Sequence, residues 1–103
     1  MKYFLITYRF QKGTLDDWHA EIARFIGALD ADPELSGKIS YRCLQSKAGP
    51  DCYHLATASD EGAAKALGER DFFTRYTEKC EAASGGTVEV TPLELVGETA
   101  YRP

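Results

Sequence analysis

Lys2-Tyr-Phe-Leu-Ile-Thr-Tyr-Arg-Phe10 is the stretch whose reading decides the fold. It is built from β-branched and aromatic residues, contains no Gly or Pro, and is bounded by Gln11-Lys12-Gly13, so it reads as a strand. Side chains alternate between the two faces of a strand. One face carries Phe4, Ile6, Tyr8 and Phe10, and the other carries Tyr3, Leu5, Thr7 and Arg9. The first set is apolar throughout and the second is apolar at its start. A strand with one solvated face alternates more cleanly. Both sides of the sheet therefore need a cover.

Working outward, Thr14 can cap a helix from about 14 to 31, with Asp16 and Asp17 beside the positive end of its dipole. Leu15, Trp18, Ile22, Phe25, Ile26 and Leu29 form its apolar stripe. Asp32-Pro33 and Gly37 close this segment. Lys38–Ser46 and Cys52–Ala58 read as strands joined by the turn Lys47-Ala-Gly-Pro-Asp51, which makes a hairpin. Ser59-Asp60-Glu61 opens a second helix carrying Ala63, Ala66, Leu67, Phe72, Phe73, Tyr76 and Cys80. Gly68-Glu-Arg-Asp71 predicts a kink in it or a restart capped by Asp71. Ser84-Gly-Gly86 stops the helix. Thr87–Val96 is a fourth strand, which Pro92 assigns to an edge or a bulge, and residues 97–103 form a short tail.

This order, β-α-β-β-α-β over residues 1–103, predicts one α+β domain with a ferredoxin-like, four-stranded antiparallel sheet. Right-handed crossovers put both helices on one face. The open face is left with some of Tyr3, Leu5, Tyr41, Leu55 and Val88, depending on register. Burying one large apolar side chain contributes about 1.5–3 kcal/mol, so a second copy of the chain is the economical cover. The expectation is a homodimer through the open face.

The bulk composition narrows the partners. A net charge of −4, with twelve scattered Lys and Arg, argues against nucleic acid. No apolar run is long enough to span a membrane, and the N-terminus lacks the pattern of a signal peptide. Cys43, Cys52 and Cys80 are an odd set without C-x-x-C spacing, which fits reduced thiols in a cytoplasmic protein. Cys43 and Cys52 flank the hairpin, so a bond between them is open on geometry.

His54 is the foremost candidate for chemistry. Its strand neighbours Ala56 and Ala58 leave room on its own face, and a histidine base could take a phenolic proton. The plainer reading is a hydrogen-bonded strand histidine. Arg42 could hold an anionic oxygen if it points inward, and is merely solvated if outward. The hairpin register decides whether His54 shares a face with Cys43 or with Arg42. Tyr41, Phe73 and Tyr76 can wall an apolar pocket with polar tips, or simply pack in the core. His19 reads as surface. Two histidines without HExxH or paired cysteines make no metal site, and no Gly-rich phosphate loop follows a strand, so no cofactor is expected.

The register of Phe10-Gln-Lys-Gly13-Thr-Leu-Asp-Asp-Trp18, Leu35-Ser-Gly37-Lys-Ile-Ser-Tyr41, Ser59-Asp-Glu-Gly-Ala-Ala64 and Asp71-Phe-Phe-Thr-Arg-Tyr76 resembles the dimeric α+β barrel superfamily. Within it the chain is most similar to the antibiotic biosynthesis monooxygenase (ABM) domain. The resemblance covers residues 1 to about 97. It implies a ligand lying between sheet and helices, near the second helix, and activities that include cofactor-free oxygenation of quinols and aromatic polyketides. Three departures stand out. Ala58 occupies the place of the Trp common at the end of the third strand, which enlarges the pocket and makes Ala58 a ligand-binding position. The His often found before the aromatic pair is replaced at Asp71 or Phe72. The Asn, Trp and His set of haem-degrading relatives is absent, with Thr7 near where the Asn would fall. Two functions remain open: a cofactor-independent monooxygenase for a small hydrophobic phenol or quinol, with His54 as base and Arg42 as anion holder, and a non-catalytic small-ligand-binding or stress accessory protein.

Overall fold

The computed structural model describes all residues, Met1–Pro103. The elements run β1 (Lys2–Arg9), α1 (Leu15–Ala31), β2 (Ile39–Gln45), β3 (Asp51–Ala58), α2 (Glu61–Gly68), α3 (Asp71–Ser84) and β4 (Glu89–Leu93). The four strands form one antiparallel sheet in the order β2-β3-β1-β4, the α+β ferredoxin-like fold. Pro92 lies on β4, an edge strand, where its missing N–H costs no interior ladder bond.

Local chemistry sets the helix ends. Thr14 caps α1, its hydroxyl accepting from the Asp17 N–H at 3.2 Å. Asp60 caps α2 by accepting from the Ala63 N–H at 2.8 Å. Gly85, left-handed at φ 63°, closes α3. Of the two alternatives for the second helix, the structure shows the restart: there are two helices, because Arg70 is extended (φ −82°, ψ 136°) and breaks the spiral between Gly68 and Asp71. Two expectations do change, the capping residue of that restart and the extent of the fourth strand. Asp71 is then the first helical residue, and the capping position falls to Arg70, which makes no side-chain cap bond. Instead Arg70 Nε donates to Asp32 Oδ2 at 2.8 Å, tying the break to the end of α1. The fourth strand ends at Leu93 rather than Val96, because Leu93 pairs with Tyr3 and β1 has only Lys2 beyond it. Nor does it include Thr87, whose hydroxyl donates to the Ser84 carbonyl and accepts the Arg9 N–H.

Register assigns the faces. Phe4, Ile6, Tyr8, Ile39, Tyr41, Cys43, Cys52, His54, Ala56, Ala58 and Val90 face the helices. Tyr3, Leu5, Thr7, Arg42, Tyr53, Leu55 and Thr91 face away. Tyr41 and Val88, possible open-face residues from sequence, instead pack against the core. That core centres on Tyr8, Trp18, Phe25, Leu29, Tyr76 and Cys80. After β4 the chain travels from one edge of the sheet to the other, since Arg42 on β2 donates to the Pro103 carbonyl at 2.8 Å.

Candidate functional site

Between the sheet and α2–α3 lies a cavity of about 450 Å³. Its floor is Phe4, Ile6, Ala56 and Ala58, and its roof is Ala64, Leu67 and Phe73. Thr77, Glu81 and Val90 stand at the exposed rim, where Glu81 is the single charged lining residue. The volume is that of a small-molecule site. Small residues create it: Ala56 and Ala58 on β3 and Ala64 on α2 leave the space that larger side chains would fill.

One wall is polar. Tyr41 and Tyr76 both line the cavity, and their hydroxyls are 3.2 Å apart. Behind them His54, 1% exposed, brings Nδ1 within 2.9 Å of the Tyr41 hydroxyl and 3.0 Å of that of Tyr76. Nε2 is 2.8 Å from the Tyr8 hydroxyl, which accepts the Trp18 indole N–H at 2.8 Å. Tyr76 is held flat between Phe25 (ring centroids 4.0 Å apart, 4° between planes) and Trp18 (5.7 Å, 11°). The Glu21–Arg75 pair, at 2.8 Å, joins α1 to α3.

Indole N–H can only donate, so Tyr8 oxygen is its acceptor. Two arrangements of the remaining protons then satisfy the line. In one, Tyr8 O–H donates to Nε2 and Nδ1–H donates to a tyrosine oxygen. In the other, Tyr41 or Tyr76 O–H donates to Nδ1 and Nε2–H donates to Tyr8. They differ by the shift of one proton along the chain of groups.

Burial dominates the electrostatics. Desolvation lowers the His54 pKa to about 4, so its imidazole is neutral at pH 7. Desolvation also raises the Tyr8, Tyr41 and Tyr76 hydroxyls above the usual phenol value. It pushes the Cys43 thiol up to about 11 and that of Cys80 up to about 12. All three cysteines are free. No group of three His, Cys, Asp or Glu is placed to hold a metal ion, and no helix is long and apolar enough to cross a membrane.

Of the residues singled out from sequence, Tyr41, Phe73, Tyr76 and Ala58 all line the one cavity. His54 stands behind its tyrosine wall and faces Cys43 across the strands. Arg42 requires a correction. It pairs with Leu55 on the opposite face, and its guanidinium holds the Pro103 carbonyl, so it cannot share a site with His54 inside one chain. His19 is exposed on α1 and 3.1 Å from the Gln45 side chain. Tyr8 and Trp18 were missed as site residues. The signal was present, since Tyr8 is the one polar-tipped residue among the apolar Phe4, Ile6 and Phe10 on its face of the first strand and a buried indole N–H needs an acceptor.

No family model and no curated protein matches the sequence. Solved structures do match. The oxygenase SnoaB from Streptomyces nogalater (mutant N63A), described as cofactor-independent, is 16% identical with a TM-score of 0.78, covering 97% of both chains. An antibiotic biosynthesis monooxygenase is 13% identical with a TM-score of 0.75, covering 94% of this chain and all of that one. A dimeric ferredoxin-like protein of unknown function from Jannaschia sp. CCS1 is 19% identical with a TM-score of 0.68, covering 92% of this chain and all of that one. At these identities the likeness is one of fold: the chain has the ferredoxin-like architecture found in antibiotic biosynthesis monooxygenases and in that dimeric protein.

Proposed function

We propose that the protein binds a small hydrophobic phenol, quinol or anthrone in the cavity beneath α2 and α3 and oxygenates it without a cofactor. The observation that carries this reading is the cavity itself, lined mostly by apolar side chains, with Tyr41 and Tyr76, whose hydroxyls meet His54, in its wall and with Thr77 and Glu81 confined to its rim. Such a wall orients a ligand hydroxyl and receives its proton, leaving an electron-rich anion for dioxygen. With an anthrone, one O2 converts a ring CH2 to a carbonyl and releases one water, so atoms and electrons balance. SnoaB, of the same fold, is described as a cofactor-independent oxygenase, which supports this chemistry.

The unit that acts is a homodimer closed through the open sheet face. Tyr3, Leu5 and Leu55 lie there only half-buried, and the Jannaschia protein of this fold is dimeric. Three free thiols suit a reducing cytoplasm.

Oxygen uptake with a panel of quinols and anthrones tests the reading. The wild-type protein consumes oxygen with at least one member, Ala58→Trp abolishes both binding and uptake by filling the cavity, and Tyr41→Phe slows uptake while binding persists. Uptake unchanged by Ala58→Trp would sink it. A second reading is favoured by the low basicity of His54: a group pulled down to about 4 is a weak base toward a phenol, which suits a carrier that binds without turnover. Binding to the wild type with no oxygen consumed selects it.

A further inference from the structure

Behind His54, on the side away from the large cavity, is a second one of about 160 Å³ between α1 and the β2–β3 hairpin. Tyr8, Trp18, Ile22, Cys43, Cys52 and His54 line it, and the exposed His19 and Gln45 stand at its mouth. It has room for water, and the hydroxyl and ring nitrogens on its wall give water partners. His54 is therefore the partition between two cavities. Its Nδ1 serves the tyrosines of the large one, and its Nε2 serves Tyr8, which belongs only to the small one.

We propose that Tyr41 or Tyr76, His54 and Tyr8 form a proton relay that carries a ligand proton out of the large cavity into the small one, and on to solvent past His19. It rests on the reading of the large cavity as the place where a phenolic ligand ionises. The relay starts from the arrangement in which Tyr41 O–H donates to Nδ1 and Nε2–H donates to Tyr8. The ligand O–H proton passes to the Tyr41 oxygen as the Tyr41 proton passes to Nδ1. The Nε2 proton passes to the Tyr8 oxygen, and the Tyr8 proton passes to water in the small cavity. The Tyr41 and Tyr8 oxygens each gain one proton and give one up, while on the imidazole Nδ1 gains a proton and Nε2 gives one up. His54 ends neutral in its other tautomer, the charge appears only on the ligand and in the small cavity, and the reverse passage returns a proton to the oxygenated anion. The low basicity of His54 is then no obstacle, because the ring never has to stay cationic.

The alternative destinations are poor. Cys80 also lines the large cavity, but as a buried thiol rather than a base, and Glu81 is at the rim rather than beside the tyrosine pair. Trp18 is a positioning residue, its N–H fixing one lone pair of Tyr8 so that the Tyr8 proton points elsewhere.

Two measurements test the relay, one of them free of any ligand. The first is NMR exchange of the Tyr41 and Tyr76 hydroxyl protons with water. The second is stopped-flow absorbance of 4-nitrophenol, whose anion is yellow, on mixing with the dimer. Tyr8→Phe keeps the ring but removes the hydroxyl, and it should slow both rates by about a hundredfold, the scale of losing one proton-transfer group, with the 4-nitrophenol affinity unchanged. Ile22→Phe, which occupies the small cavity without making any bond on the line, should slow both as well and carries the test should Tyr8→Phe not fold. Ionisation and hydroxyl exchange at wild-type rates in these variants overturn the relay and leave the cavity reading standing. If 4-nitrophenol fails to ionise on the wild type while hydroxyl exchange still depends on Tyr8, the cavity reading falls, and with it the carriage of a ligand proton, while the proton line from the tyrosine pair through His54 to Tyr8 stands.

Discussion

His54 has a cost at low pH that follows from its burial. The unfolded chain protonates this imidazole near its ordinary value of 6.5, whereas the folded protein resists until about 4. Between those values the unfolded state binds more protons, so stability rises with pH there and falls as acid is added. One extra proton on the unfolded chain costs about 1.4 kcal/mol for each pH unit crossed, so urea unfolding should show a loss of about 2 kcal/mol between pH 7 and pH 5 from this group. His54→Gln should flatten that dependence. Tyr8→Phe strands the Trp18 N–H and a His54 nitrogen together, and should destabilise the protein by about 1–3 kcal/mol in the same urea assay. The thiols of Cys43 and Cys80 are pushed up to about 11 and about 12, so at pH 8 they should react with iodoacetamide only on unfolding, as mass spectrometry would show.

The ends of the helices fix where the cavity roof sits. Asp60 starts α2 and thereby places Ala64 and Leu67 over the sheet. Asp60→Ala should lower stability by about 1 kcal/mol, read as a shift in the urea midpoint. Gly85 ends α3 in the left-handed region at φ 63°, where any side chain is strained. Gly85→Ala should lose about 1–2 kcal/mol in that assay. The break between α2 and α3, with Arg70 tied to Asp32, lets α3 take its own direction and lay Phe73 and Tyr76 along the cavity. Gly68 and Asp71 announced that break, but whether it was a kink or a restart depended on Arg70 finding Asp32, a partner 38 residues away.

At the scale of the molecule, the open face is what remains unfinished. Leu5 and Leu55 sit opposite one another at the middle of the sheet, pointing away from the helices. For the proposed dimer, Leu55→Arg puts a charge in the centre of the joining face, and sedimentation should show the variant as monomer where the wild type sediments as dimer. A wild-type protein that sediments as a monomer at low micromolar concentration would count against the dimer. The large cavity has its exposed rim at Thr77 and Glu81 of α3 and Val90 of β4 rather than on this face, so the two properties can be separated by experiment.

The order of strands and helical segments, the cap at Thr14, a helix start within Ser59-Asp60-Glu61, the apolar stripe of α1 and the placing of Pro92 at an edge or a bulge were legible in the chain alone, because each follows from spacing and from the chemistry of adjacent residues. The cavity-lining set Tyr41, Phe73, Tyr76 and Ala58 could be named but not assembled. What sequence could not supply was parity. A slip of one residue in the hairpin exchanges every side chain between faces, and only the paired sheet puts His54 with Cys43 and sends Arg42 to the other side. The Tyr8–His54–Tyr76 line joins positions 46 and 22 residues apart on three elements. No local pattern encodes such a meeting, since it exists only once the sheet and helices have closed on one another.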